Sequence, residues 1–143
     1  MKSVKEIMST DITFCTTDDS ISEAASKMKD KNVGVIPVCG SNKELIGMVT
    51  DRGLVIRGYA NNKSGSDQVQ QVMSDQLYSL EPSASVQEAS KLMAEKQIRR
   101  LPIVESGELV GIVALGDLAL EKQSNDAAGH ALEEISETQP GIH

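Results

Sequence analysis

The 143 residues suffice for one domain with a real core, or for two small motifs that share one, and they carry a net charge of −7. That charge argues against a nucleic-acid partner held through its phosphates, and the scarcity of aromatic residues (Phe14, Tyr59 and Tyr78, with no tryptophan) argues against a base-stacking platform. The apolar runs fall far short of a membrane span, and the opening MKSVKEIMST has no apolar signal stretch, so a cytoplasmic protein is the expectation.

In chain order, a short start, VKEIM (4–8), precedes a brief apolar strand predicted over Ile12–Cys15. A helix then begins sharply at SISE (20–23), where the Ser20 oxygen can accept a backbone N–H and Glu23 can reach back to the cap's own N–H. Ile21, Ala24, Ala25 and Met28 mark one face of it. Two strands follow, VGVIPV (33–38) and ELIGMVT (44–50), joined by the turn CGSNK, and a second helix begins near Asp51. The stretch GYANNKSGSDQ (58–68) is polar and reads as a flexible linker.

The same order then returns. VQQVM (69–73) leads to a strand predicted over Leu77–Leu80 and to a helix capped by SVQE (85–88), with Val86, Ala89, Leu92 and Met93 on one face. The strands IRRLPI (98–103) and ELVGIVA (108–114) flank the turn ESG, and a second helix starts near Gly116. The end of the chain, 124–143, is acidic and has no counterpart, with a short helix expected over Ala127–Ile135.

Residues 4–38 match 69–103 without a gap: Val4/Val69, Met8/Met73, Ser9/Ser74, Ser20/Ser85, Glu23/Glu88, Ala24/Ala89, Met28/Met93, Lys31/Lys96 and Pro37/Pro102 are identical. A period near 65 residues is too long for a solenoid. An α/β (α+β) fold is expected, built of two pseudo-symmetric strand–helix–strand–strand–helix repeats packed into one module. Repeat 1 is taken as 1–61, repeat 2 as 62–124 and an acidic tail as 125–143.

Pro37 and Pro102 interrupt strands that otherwise look buried. Proline lacks a ladder donor and belongs at an edge or a bulge, where neighbouring backbone groups either meet a ligand or face water or the other repeat. At the following strand–helix junctions stand VTDRG (49–53) and VALGD (113–117). A Thr-x-x-Asp pattern there could bind the two hydroxyls of a ribose, but it is also a capping pattern. Here it is split: repeat 1 has Thr50 with Gly53 in the acid's place, and repeat 2 has Asp117 with Ala114 in the hydroxyl's place.

Of the four arginines, Arg52 and Arg57 follow Thr50 on the second helix of repeat 1, and Arg99 and Arg100 precede Pro102 in repeat 2, a placement that suits either an anion site or a solvated surface. Cys15 and Cys39 lie in apolar segments without CxxC spacing and read as buried free thiols. His130 and His143 fall in the tail and suggest no metal site. No catalytic residues can be named: there is no GxGxxG, Walker loop or HExxH, and no serine or cysteine has a base near it in a motif, so a binding module is the better class and not an enzyme.

Taken together, the paired "VGVIPV"/"RRLPI" and "GMVTDRG"/"GIVALGD" elements over about residues 4–121 resemble a tandem pair of cystathionine-β-synthase-type (CBS) domains, of the small stand-alone bacterial kind. The resemblance implies a disc-like α/β module that commonly dimerises, with adenosine-containing ligands (AMP, ADP, ATP, S-adenosylmethionine, sometimes NAD) held in two clefts between the repeats. No covalent cofactor is implied. Carried onto this chain, backbone around Val35, Ile36 and Pro37, and around Leu101 and Pro102, would meet adenine. Thr50 and Asp117 would meet ribose, with Ala114 marking the missing hydroxyl. Arg52 or Arg100 would meet phosphate, and Thr16 would line a cleft. Because a carboxylate makes the stronger bond to a hydroxyl, the Asp117 site is expected to be the better nucleoside site.

The resulting expectation is an adenine-nucleotide-sensing regulatory module, a homodimer acting on an unidentified protein, with neither a nucleic-acid nor a membrane partner. The alternative is a structural or interaction dimer that has lost its ligand.

Overall fold

Local chemistry at the two Ser-x-x-Glu boxes sets the longest helices of the structure, a computed structural model that describes residues 2–120. The expected helix over Ala127–Ile135 lies outside the described residues. In α1 (Ile21–Lys31), Glu23 N donates to Ser20 Oγ at 3.0 Å and Ser20 N donates to Glu23 Oε1 at 3.2 Å. In α3 (Val86–Lys96) the matching bonds run from Glu88 N to Ser85 Oγ at 3.0 Å and from Ser85 N to Glu88 Oε1 at 3.3 Å. Both helices end on a left-handed residue, Asn32 (φ 54°) and Gln97 (φ 57°), which turns the chain out of the helix. Each buries an apolar stripe, Ala24 and Met28 in α1 and Val86, Ala89 and Met93 in α3.

β1 (Cys15–Thr16) pairs parallel with β2 (Val35–Cys39), which pairs antiparallel with β3 (Leu45–Thr50). β4 (Arg100–Glu105) pairs with β5 (Glu108–Ala114). The first strand of each repeat is shorter and later than its apolar run suggests. The strand expected over Ile12–Cys15 is Cys15–Thr16, because β1 meets β2 only at Val38 and Cys39 and Thr16 N then turns to the Asp19 carboxylate at 2.9 Å. The strand expected over Leu77–Leu80 contracts to Leu80, whose N donates to Pro102 O and whose O accepts from Val104 N. Beyond β3, α2 (Asp51–Gly53) runs on through a π-helical turn, Leu54–Gly58, and a 3-10 turn, Tyr59–Asn61. α4 (Leu115–Leu120) follows β5.

Two compact units form, and they interleave the sequence. Among the described residues, one gathers 2–12, 78–106 and 110–120, and the other gathers 13–77 and 107–109. The start of repeat 1 therefore packs with elements of repeat 2. Val4 is fully buried in a core with Val86, Ala89, Met93, Leu101, Ile103, Val113 and Leu118. Val69 and Val72 do the same in the other unit, among Cys15, Ala24, Met28, Ile36, Val38 and Val49.

Hydrogen bonds repeat this arrangement. Val86 N donates to Lys2 O and Val4 N to Ala84 O, while Ile21 N donates to Asp67 O and Val69 N to Asp19 O. The leading segments thus occupy helix-start amides that have no partner within the helix. They also hold residues 65–68: Ser22 N donates to Gly65 O, and Ser20 bridges to Gln68. The segment 58–68, expected to be flexible, is accordingly helical up to Asn61 and tied to the start of α1 beyond it.

Gly47 and Gly111 hold equivalent places in β3 and β5. A Cβ on Gly47 would lie 2.7 Å from Met73 Sδ and 2.8 Å from Ser74 O, and one on Gly111 would collide with Met8 Sδ. The identities Met8/Met73 and Gly47/Gly111 therefore express one packing relation: a leading-segment methionine lies against a strand that can have no side chain there.

Candidate functional site

At the repeat 1 junction β2 and β3 set the geometry. Val35 lies opposite Thr50, Ile36 opposite Val49 and Pro37 opposite Met48. Asp51 N donates to Gly34 O at 2.9 Å, which makes Gly34/Asp51 a bonded pair and, by alternation, Val35/Thr50 and Pro37/Met48 non-bonded ones. Met48 turns its own groups away from β2, donating to Ser74 O and accepting from Ser74 N. Pro37 therefore sacrifices no bond to β3, and a register shift follows directly at Val38/Cys39. The backbone groups of Val35 point to the β1 side, short of the two residues that β1 covers. Ile36 is wholly buried, whereas Thr16, paired with Cys39, keeps its side chain exposed.

Thr50 Oγ1 accepts the Gly53 N–H at 2.8 Å. This is the first bond of a capping box, the N-cap side chain taking an amide three residues on. Its hydroxyl hydrogen stays available as a donor. Arg52 is exposed, and its N donates to Asp51 Oδ1 at 2.7 Å.

The repeat 2 junction makes the other bond of the box. Asp117 Oδ2 accepts the Ala114 N–H at 2.9 Å. Leu115 N donates to Arg99 O at 2.8 Å, the counterpart of the Asp51–Gly34 bond. Arg100 is half-buried, Leu101 and Pro102 are buried, and Pro102 O is taken by Leu80 N at 3.2 Å. Ala114 and Asp117 are half-buried, and Asp117 Oδ1 can still accept a bond from a ligand hydroxyl. Within its own unit each half-signature is thus one half of a helix cap, with one polar capacity left over: a donor at Thr50 and an acceptor at Asp117.

Lys27 pairs with Asp19 and Lys91 with Glu95, and neither pair involves an arginine. Arg57, which follows Gly53 by one helical turn, belongs with Thr50 in a way that motif reading alone did not single out. A Cβ built on Gly53 would stand 3.0 Å from Thr50 Oγ1 and 3.9 Å from Arg57 Nη1. The spacing of four residues was the available signal.

Cys15 and Cys39 are buried free thiols, and burial raises the pKa of both, that of Cys39 to about 11. Asp19 moves the other way. Burial opposes the charged form, but the Thr16 amide and the Lys27 ammonium together hold its carboxyl below the ordinary value. No three His, Cys, Asp or Glu among the described residues group in a way that could hold a metal ion. No helix among them is long and apolar enough to cross a membrane.

The family model for the CBS domain matches the chain twice, over residues 4–57 and 69–123. The chain belongs to the CBS-domain family. Both matches cover a strand–helix junction of the kind described above, so this is a tandem CBS protein. The CBS domain-containing protein YhcV of Bacillus subtilis is 50% identical over 136 residues, spanning 95% of this chain and 96% of that one. The crystal structure of Hypoxic Response Protein I with two coordinated zinc ions aligns with a TM-score of 0.76 at 32% identity, over 82% of this chain and 97% of that one. The crystal structure of CBSX2 in complex with AMP aligns with a TM-score of 0.73 at 25% identity, over 82% and 92% of the two chains. A mixed α/β CBS-pair fold is common to these proteins.

Proposed function

We propose that this CBS pair is a cytoplasmic regulatory module that senses an adenosine-containing ligand: AMP, ADP, ATP or S-adenosylmethionine. The observation that carries the reading is the Asp117 carboxylate, which caps its helix through Oδ2 and retains Oδ1 for a ribose hydroxyl. The AMP complex of CBSX2, a structural neighbour, supports the ligand class. In this reading Asp117 is the principal ribose contact and Thr50 a weaker one. Val35 and Pro37 on β2, and Leu101 and Pro102 on β4, offer backbone to adenine, and Thr16, Arg52 and Arg100 supply the polar surroundings and the phosphate contacts. The ligand acts on a partner protein by binding one conformation of the module better than another.

A homodimer belongs to the same proposal. Val55, Ile56 and Tyr59 are exposed to 55%, 51% and 83% on one helical stretch and supply apolar surface for it, which light scattering of the purified chain tests.

Thermal unfolding with and without AMP, ADP, ATP, S-adenosylmethionine and NAD tests the ligand. A ligand at a hundred times its dissociation constant adds about 2.7 kcal/mol of stability, a shift of several degrees for a chain of this size. A shift for one of the five supports the sensor. No shift for any of them replaces it with a ligand-free interaction module.

A further inference from the structure

Each leading segment meets its strand through a backbone bridge and a methionine beside it. In the unit that contains residues 2–12, Ser9 N donates to Ile112 O at 2.8 Å and Ile112 N to Ser9 O at 3.0 Å. In the other unit, Met48 N donates to Ser74 O at 2.9 Å and Ser74 N to Met48 O at 2.7 Å. The residue before each bridge is a methionine on one side and a glycine on the other, Met8 with Gly111 and Met73 with Gly47. A Cβ on Gly47 would stand 2.7 Å from Met73 Sδ and 3.2 Å from its Cγ. One on Gly111 would collide with Met8 Sδ and stand 2.8 Å from its Cγ. In both units the thioether sulfur itself lies against the strand.

These sulfurs are within reach of solvent. Met8 and Met73 are half-buried, whereas the other equivalent pair, Met28 on α1 and Met93 on α3, is exposed to only 7% and 0%. Hydrogen peroxide oxidises a thioether in one two-electron step. A sulfur lone pair attacks one peroxide oxygen, the O–O bond breaks and an S–O bond forms. The other oxygen leaves as hydroxide, takes the proton of the transferred hydroxyl and departs as water. Sulfur is oxidised and the peroxide is reduced. The product is a polar sulfoxide where an apolar sulfur had been packed. Its oxygen accepts hydrogen bonds, but glycine brings no side chain, and the N–H groups of Met48 and Ile112 beside it are already given to Ser74 and Ser9.

We infer that Met8 and Met73 are a pair of oxidation sites, at which sulfoxide formation by a peroxide lifts the leading segments off β5 and β3. Each segment carries a fully buried valine, Val4 or Val69, so lifting it opens a core as well. The step is reversible: two thiols return the sulfoxide to the thioether and leave as a disulfide and water. Each unit thus has a redox-sensitive catch of its own, independent of any ligand.

The test is hydrogen peroxide treatment of the full chain, wild type and the double variant Met8→Leu with Met73→Leu, read by peptide mass mapping, amide hydrogen exchange and thermal unfolding. Leucine nearly conserves the volume and carries no sulfur to oxidise. In wild type, Met8 and Met73 are expected to gain an oxygen before Met28 and Met93. The amides of Ser9, Ile112, Met48 and Ser74 are expected to lose exchange protection, and the thermal midpoint to fall by several degrees. Methionine sulfoxide reductases of both stereochemical specificities, supplied with a thiol, are expected to restore both readings. The double variant is expected to keep its midpoint after peroxide. Sulfoxide at Met8 and Met73 with those four amides still protected overturns the inference, on wild type alone. So does oxidation that reaches Met28 and Met93 equally fast, or an equal fall in the midpoint of the double variant, which assigns the effect to another residue.

Discussion

The Asp117 carboxylate accepts the Ala114 amide at 2.9 Å, and in the other repeat the Thr50 hydroxyl accepts the Gly53 amide at 2.8 Å. These are the two reciprocal bonds of one capping box, divided between the two repeats. The division explains how each repeat can lose half of a Thr-x-x-Asp signature and still begin its second helix.

Completing the box should stabilise the chain. Ala114→Thr adds the missing side-chain acceptor beside an Asp117 already in place, and is expected to raise stability by about 0.5–1 kcal/mol. Thr50→Ala removes the only bond of its kind at that junction and should cost about 1 kcal/mol. Urea unfolding midpoints of the two variants, moving in opposite directions, check both.

Two glycines should respond oppositely to the same substitution. Gly47→Ala drives a Cβ against Ser74 O, a backbone atom 2.8 Å away, and is expected to cost about 1–3 kcal/mol by overpacking. Gly116 sits inside α4 with nothing within 4 Å of its Cβ position, so Gly116→Ala is expected to stabilise by about 0.5–1 kcal/mol through helix propensity. Equal effects of the two changes on the thermal midpoint would contradict the packing described here.

Both outcomes bear on what the sequence could show. The capping boxes at Ser20 and Ser85 were legible because they are purely local, a hydroxyl and a carboxylate three residues apart, and the structure forms all four bonds. β5 was legible to its exact ends because apolar residues fill it between a turn and a helix. The exchange of leading segments was not legible. VKEIM and VQQVM have the same pattern, so each suits either core, and chain adjacency favours the one that the structure does not use. Segment 58–68 misled for a related reason: its polar side chains suggest a loop, whereas its structure comes from backbone carbonyls at Gly65 and Asp67 meeting helix-start amides. At the candidate site, Thr50 and Asp117 were recognisable by type. Their division of one cap, and the place of Arg57 beside Gly53, required the fold of the helix.

The cysteines should be inert at neutral pH. Burial raises the Cys15 and Cys39 pKa values, so little thiolate is present, and iodoacetamide is expected to label the folded chain far more slowly at pH 8 than the urea-unfolded one. A thiol whose folded pKa is raised contributes stability that is present below its ordinary value of 9.0 and lost as pH climbs toward about 11. Cys39→Ala should flatten that alkaline loss in the unfolding midpoint, and labelling at equal rates in both states would refute the burial.

Asp19 should act at the acidic end. Its folded pKa lies below the ordinary 3.8, so its stabilising contribution is present above that value and disappears as pH falls through it. Asp19→Asn is therefore expected to be less stable than wild type at pH 7 and to converge with it as pH falls below 3.8 and through the lowered folded pKa. A gap independent of pH, measured by denaturation at both ends, would show that the Thr16 amide and Lys27 do not act through the charge.

The central claim is that the spare oxygen of Asp117 receives a ribose hydroxyl, and Asp117→Asn tests it most directly. An asparagine oxygen can keep the Ala114 cap while replacing the second acceptor with an N–H₂ donor, so binding and stability separate. Calorimetric titration of the nucleotide that stabilises wild type should show affinity falling about 10- to 100-fold in Asp117→Asn, as loss of a charge-assisted bond implies, with the unliganded melting temperature little changed. Equal affinity for the two proteins would contradict the claim and leave Asp117 as a helix cap alone.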